Sequence, residues 1–229
     1  MSRKIEFAVD EFYHIYARGN DRKPIFLNDR DYSRFLALMY VCNSSTPIHL
    51  SNLSIVDFSL PFSLKRGETL VAIGAYCLMP NHVHFLIREV KDKGISQFMQ
   101  KLLTSYSMYF NKKNSRTGSL FEHPFKARHI DEDEYLRYLL AYIHLNPIKI
   151  NDSDSWSGKK VLHPESAKRY LDYYRYSSYP NYLGKKRIED VILDRKVFPE
   201  YFSDQGDFEI YIENWIKFNE DDEDINGKA

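Results

Sequence analysis

Two short segments carry residue types suited to metal-assisted chemistry. The first is Pro80-Asn81-His82-Val83-His84. In an extended strand, positions i and i+2 point to the same face, so His82 and His84 would project side by side. Imidazoles at that spacing suit two ligands of one metal ion. Alternating histidines also occur as ordinary polar surface. The second segment is Tyr142-Ile143-His144-Leu145-Asn146-Pro147. On a helix, i and i+4 share a face, which sets the Tyr142 phenol one turn from the Asn146 carboxamide. The phenol is a candidate nucleophile and the amide oxygen a neutral third ligand. Taken alone, the pair reads equally well as a core tyrosine and an asparagine closing a helix. Pro147 disfavours helical geometry at Asn146, which loosens the expected direction of that side chain.

Together the two segments fit one reaction. A phenol of pKa about 10 is a poor nucleophile at pH 7. A divalent metal beside it polarises a phosphate oxygen and stabilises the negative charge that builds up. Attack on a DNA phosphodiester would give a phosphotyrosine ester and a free 3′-hydroxyl. The ester conserves bond energy, so the break can be rejoined to another 3′-hydroxyl without ATP. Two imidazoles and an amide leave positions open for water and phosphate. That mixed set is compatible with Mg²⁺ or Mn²⁺ as well as zinc. Tyr138, one turn before Tyr142, is the rival nucleophile, and His144 reads as structural.

The elements that must position these residues follow from pattern. Phe12 to Arg18 is aromatic and β-branched and stops at Gly19-Asn20, so it reads as a strand. Tyr32, Phe35, Leu36 and Met39 recur at helical spacing, with Asp29 the expected cap and Cys42 the expected end. Leu70 to Met79 is an apolar run broken by Pro80-Asn81, and His82 to Ile87 follows at once, which suggests a hairpin. Ile95 to Phe110 is a long amphipathic helix and Phe125 to Ile130 a short strand. A last helix, capped by Asp131 or Asp133, ends at Asn146-Pro147.

This order predicts an α+β, ferredoxin-like split βαβ fold. Its antiparallel sheet would carry helices on one face and leave the other for a ligand. A tyrosine-bearing helix and a C-terminal extension follow. The expected division is a catalytic domain over 1–150, with an insertion near 43–67, and an extension over 151–229 that is acidic and disordered at its end. Tyr170 to Leu183 is rich in tyrosine, and Phe208 to Phe218 has a helical pattern.

Composition excludes several classes. The 229 residues hold only two cysteines, Cys42 and Cys77, too few for a disulfide framework or a four-thiolate zinc site. No apolar run reaches the roughly 20 residues of a membrane span, and the N-terminus lacks a signal-like stretch, so a cytoplasmic protein is expected. Lys plus Arg equals Asp plus Glu at 32 each, so global charge gives no support for nucleic-acid binding. The distribution is uneven. Gly94 to Ile130 has a net charge of +5, and Asn219 to Ala229 one of −4. Candidate phosphate contacts are Arg18, Asn20, Lys101, Lys112, Lys113, Arg116, Lys126 and Arg128. Tyr106, Tyr109, Phe121 and Phe125 are candidates for stacking unpaired bases, with Tyr106 and Tyr109 better placed for the core.

The chain resembles the single-tyrosine HUH transposases of the insertion-sequence type, in particular the REP-associated tyrosine transposases. The matching stretches are Tyr13 to Asn20 (Tyr-His-Ile-Tyr-Ala-Arg-Gly-Asn) and Tyr76 to Phe85. Gly118 to Phe121, Phe125 to Ala127 and Tyr138 to Pro147 also match, with a weaker echo from Tyr176 to Gly184. The resemblance implies His82 and His84 as metal ligands, Tyr142 as nucleophile and Asn146 at the third, amide-bearing ligand position. It implies single-stranded or hairpin DNA as partner, a divalent metal (Mg or Mn) as cofactor, and strand transfer through a 5′-phosphotyrosine. Monomers and homodimers that share the tyrosine helix both remain open. So do a non-catalytic DNA-binding protein of the same fold and a metal-dependent nuclease without a covalent intermediate. The 43–67 connection is longer than the family pattern, and the stretch beyond Lys185 has no counterpart in it.

Overall fold

The computed structural model describes residues 5–46, 59–151 and 163–217. Four strands, β1 (Phe12–Arg18), β2 (Val71–Met79), β3 (His82–Glu89) and β4 (Lys126–Ile130), form one sheet in the order β2-β3-β1-β4. All neighbours are antiparallel. Helix α1 (Asp29–Cys42) joins β1 to β2, and α3 (Gly94–Lys113) joins β3 to β4. Between α1 and β2 lies a single turn, α2 (Leu60–Ser63). This is the expected split βαβ arrangement, with β3 inserted between the two strands that α1 connects.

Alternation along each strand builds two apolar layers. Tyr13, Ile15, Val83, Phe85 and Ile87 pack under α1 and α3 with Phe35, Met39, Phe98 and Leu102. Ala75, Cys77, Leu86 and Ile130 face the other way and pack against Leu136, Leu139, Leu140 and Ile143 of α4 (Asp133–Leu145). The second face is therefore not free along its whole length. Its apolar end would be costly to leave in water, and α4 covers it, leaving the polar end of the same face for the site.

Residues after α4 form a third layer. α5 (Ile148–Asn151) continues past Pro147, followed by α6 (Pro164–Tyr173), α7 (Tyr179–Tyr182) and α8 (Gln205–Lys217). Ala141, Leu145 and Ile148 pack there with Leu171, Phe208, Ile212 and Ile216. The Tyr176–Ser178 stretch lies along the outer edge of β2. Leu78 donates its N–H to the Tyr176 carbonyl at 2.9 Å, and Ser178 donates to Tyr76 at 2.9 Å. Those bonds occupy an edge that would otherwise be open to pairing. The acidic stretch from Asn219 lies outside the described residues, as does the middle of the 43–67 connection.

Two helix starts differ from expectation. Asn28, not Asp29, caps α1, accepting from the Asp31 N–H. At α4 neither Asp131 nor Asp133 takes the cap position, which Glu132 holds without a side-chain bond. Both differences reflect the one-residue ambiguity of acidic clusters before a helix. α3 is capped from outside. Its preceding residue, Lys93, is left-handed (φ 59°), and the Glu89 carboxylate, buried at the end of β3, accepts from Gly94 N and Ile95 N.

Asp31 is fully buried and accepts from Leu27 N (2.9 Å), the Tyr109 hydroxyl (2.9 Å) and the Lys113 ammonium (2.5 Å). It ties the start of α1 to the end of α3. Removing the buried carboxylate leaves the Leu27 N–H and the Tyr109 hydroxyl without their acceptor and Lys113 without its partner. Asp31→Ala is expected to cost about 3 kcal/mol, read as a lower urea midpoint at unchanged m-value. A loss below about 1 kcal/mol, the range of exposed pairs, would show that the pair holds nothing.

Candidate functional site

Cross-strand register assembles the site. His84 lies opposite Tyr16 on β1 and Cys77 on β2, and His82 opposite Arg18 and Met79. His14 lies opposite Leu86 and Arg128, and Tyr16 opposite Lys126. Residues directly opposite on antiparallel strands share a face. One face therefore presents His14, Tyr16, Arg18, His82, His84, Lys126 and Arg128. α4 crosses that face and brings in its phenol. The Tyr142 ring meets His84 edge-on, with centroids 5.5 Å apart, and His14 at 5.8 Å. Tyr138 lies instead among Tyr135, Tyr142 and Trp215. His144 points into the C-terminal layer, where Nε2 meets the Ser178 hydroxyl at 2.7 Å.

Both paired histidines have their Nδ1 engaged. His82 Nδ1 lies 2.6 Å from Asn81 Oδ1, which can only accept from it. His82 thus carries its proton on Nδ1 and leaves Nε2 as the acceptor. His84 Nδ1 lies 2.9 Å from His14 Nε2. If His84 keeps Nε2 for a ligand, its Nδ1–H donates to His14 Nε2, and His14 holds its own proton on Nδ1. All three rings are held neutral. Burial pushes His82 and His14 down to about 4, helped by the charges of Arg18 and Lys149 at His82 and of Arg128 at His14. His84 is lowered further by burial and then by its two neighbouring histidines. Burial raises the Tyr142 phenol above 10, while the Asn146 side chain and Arg18 act against that rise.

Asn146 is helical (φ −51°, ψ −38°), contrary to the expected effect of Pro147. The proline sits where the next short helix begins, a position that tolerates it. The helical turn lets Asn146 Nδ2 donate to the Tyr142 carbonyl at 2.8 Å, which turns Oδ1 away from the helix. There it accepts from the Lys149 ammonium at 3.4 Å. The same ammonium lies 4.8 Å from the centroid of the Tyr142 ring.

Among the described residues, no three His, Cys, Asp or Glu side chains converge as a metal site. The donors here are two neutral imidazole nitrogens and a carboxamide oxygen with a second lone pair to spare. This set fits a divalent cation that completes its shell with water and phosphate oxygens. Its residues would be His82, His84 and Asn146.

The expected phosphate contacts divide into two groups. Arg18, Lys126 and Arg128 share the site face, with Lys126 over the Tyr16 ring and Arg128 over Tyr135 at 4.0 Å. Lys112, Lys113, Arg116 and Asn20 do not join them. Lys113 is held by Asp31. Arg116 bonds to Asn111 Oδ1 and the Ser119 carbonyl. Lys112 is exposed on α3, which packs on the other side of the sheet. Asn20 lines a separate recess of about 270 Å³ with Lys23, Phe110 and Arg116. Closeness in sequence did not put them on one face, because α3 packs on the α1 side of the sheet, opposite the imidazoles. Lys101 donates to the Ser44 carbonyl, and Tyr106 is buried in the core.

Sequence reading missed His14 and Lys149. The alternation Phe12, His14, Tyr16, Arg18 contained the signal for the first. The second would have followed from helical spacing had the helix been carried through Pro147.

Residues 65–146 match the family described as Transposase IS200 like, a stretch that runs from before β2 through Asn146. None of the curated proteins matches the chain by sequence. Among solved structures, a REP-associated tyrosine transposase bound to a REP hairpin is similar, with a TM-score of 0.50 and 13% identity over 89% of this chain and 99% of that one. The family match and the shared fold agree with the resemblance carried by the motifs.

Proposed function

We propose that this chain, which matches the IS200-like transposases through the stretch holding both halves of its site, is a DNA transposase that cuts and rejoins single-stranded DNA beside hairpins. The observation that carries the reading is the Tyr142 ring set against His84 within one chain. Tyr142 Oη attacks the phosphorus, the Oη–P bond forms and the P–O3′ bond breaks. The phenol gives up its proton to solvent, and the departing 3′-oxygen takes one from solvent. A 5′-phosphotyrosine and a free 3′-hydroxyl result, and the reverse reaction with a new 3′-hydroxyl completes transfer. His82, His84 and Asn146 would hold a Mg²⁺ or Mn²⁺ ion, which supplies Lewis-acid stabilisation of phosphate charge when bound. His14 holds the His84 ring in place, and Asn81 that of His82. Arg18, Lys126 and Arg128 guide the strand along the site face, and Tyr16 and Tyr135 offer rings for unpaired bases.

The test is incubation of labelled hairpin-flanked single-stranded DNA with the protein and Mn²⁺, followed by a denaturing gel. A covalent protein–DNA adduct is the expected result. Cleavage without an adduct would instead indicate a hydrolytic nuclease, and binding without cleavage a non-catalytic DNA-binding protein. The Tyr142 ring beside His84 of the same chain supports a tyrosine acting on its own chain's site, and a monomer is expected to suffice. Among the described residues, no helix is long and apolar enough to cross a membrane.

A neutral donor set beside Arg18 and Lys149 binds a dication poorly until a phosphate adds negative oxygens. Mn²⁺ measured by electron paramagnetic resonance is expected to bind at least about tenfold more tightly with the oligonucleotide present, and by linkage the DNA equally more tightly with Mn²⁺. Equal metal affinity with and without DNA would argue against a shared site.

A further inference from the structure

We infer that Glu122 selects a guanine of the bound single strand, its carboxylate accepting from N1–H and N2–H of one unpaired base seated beside the site face. The inference rests on the proposed action on single-stranded DNA and deepens it, because cations that meet phosphates position a strand without reading its bases. Glu122 is the one acidic residue between Gly94 and Ile130, a stretch that carries six Lys and Arg. A carboxylate set among groups that meet phosphate repels the strand, unless it accepts hydrogen bonds from it.

Backbone pairing fixes its place. Residues 120–122 run beside the end of β1. Asn20 N donates to the Leu120 carbonyl and Glu122 N to the Arg18 carbonyl, both at 2.9 Å, with a bridge between Gly19 and Phe121. Phe121 is buried with the core under α1 and α3, so alternation turns Glu122 to the opposite face, that of Tyr16 and Arg18. There its half-buried side chain lines a recess of about 240 Å³ with Tyr16, Arg18, Phe125 and Lys126. Among the described residues, no side chain pairs with its carboxylate. Tyr16 and Phe125 bring rings on which a base can stack, and Phe125 is itself stacked on Phe7 with centroids 6.1 Å apart. Arg18 and Lys126 stand ready for the flanking phosphates.

The carboxylate then decides which base fits. In a single strand the Watson–Crick edges are open to protein groups. A carboxylate only accepts. Guanine offers two adjacent donors, N1–H and one N2–H, one for each carboxylate oxygen. Adenine and cytosine each set one amino donor beside a bare ring nitrogen, which would face the second oxygen lone pair to lone pair. Thymine has a single donor between two carbonyls. Guanine alone matches both oxygens.

The test uses the full chain and a fluorescent hairpin with single-stranded thymidine flanks, in which one guanine is placed at each position in turn. Kd is read by anisotropy in EDTA, and adduct formation with Mn²⁺ is read on a denaturing gel in parallel. At one position guanine is expected to bind at least about tenfold more tightly than thymine, adenine or cytosine. Inosine there, which lacks the N2 amino group, should lose most of that preference. 7-Deazaguanine, whose Watson–Crick edge is intact, should keep it. Glu122→Gln presents one acceptor and one donor, a match for adenine, so the preferred base at that position should change from guanine to adenine. No guanine preference in wild type, or an unchanged one in Glu122→Gln, would overturn the inference. So would a Glu122→Gln chain that binds every flank more tightly by the same factor, which would leave the carboxylate a repulsive charge alone. A guanine preference in wild type without an adduct would sink the strand-transfer chemistry and leave this base contact standing. No binding of any hairpin would overturn both. The series of base analogues needs only the wild-type chain, so folding of the variant does not enter it.

Discussion

Tyr142→Phe is expected to abolish the covalent adduct, with a loss of at least about 10³-fold, because the only atom removed is the one proposed to bond to phosphorus. The ring stays, so its edge contacts with His84 and His14 remain. Oligonucleotide binding should change less than about threefold. The stability cost is that of one hydrogen bond, about 1 kcal/mol, since the hydroxyl lies beside the Asn146 side chain. The measurement is adduct yield on a denaturing gel together with Kd by fluorescence anisotropy. Full adduct formation in the variant would remove Tyr142 as nucleophile and direct attention to Tyr138. That ring lies one turn earlier on α4, against Tyr135 and edge-on to Trp215, and would have to act on a strand bound differently. Hydrolysis that survives the substitution would point to water as the attacking group.

Replacing the paired histidines should have the second large effect. His82→Ala combined with His84→Ala is expected to remove detectable cleavage while leaving binding in EDTA within about tenfold, because Arg18, Lys126 and Arg128 still hold the phosphates. A complete loss of binding would give the imidazoles a DNA-contacting or purely structural part. The two single variants should differ in stability. His82 shares its Nδ1 with Asn81, near solvent, and its loss leaves a group that water can reach. His84 shares its Nδ1 with the buried His14, and His84→Ala strands His14 Nε2 away from water. That adds about 1–3 kcal/mol to the ordinary cost of truncation. Urea unfolding of the two variants reads the difference. Equal stabilities would mean that the His14–His84 bond contributes nothing.

Much of this architecture was legible from pattern. Strand alternation, the Pro80-Asn81 break and the helical spacing of Ile95 to Phe110 are local signals, and local sterics turn them into strands, a hairpin and a helix without help from distant residues. The boundaries that moved were those where acidic residues cluster ahead of a helix, and where a proline was weighed without the helix that follows it. The phosphate contacts fared less evenly. A run of positive charge reads as one patch along a chain. Yet α3 packs along its length on the α1 side of the sheet, so Lys112 and Lys113 stand on the face opposite the imidazoles, and Arg116 joins Asn20 in a separate recess.

By itself the sequence determined the kinds of group available and the faces they share locally: two imidazoles two residues apart, and a phenol and a carboxamide four apart. It could not decide which of those faces meet. That came from the antiparallel register, which sets His84 between Tyr16 and Cys77, and from the apolar end of the second sheet face, which draws α4 across it. His14 and Lys149 joined the site only through that packing. A face is a property of one element and is written in its period, whereas contact between faces depends on burying apolar area shared by residues far apart in the chain.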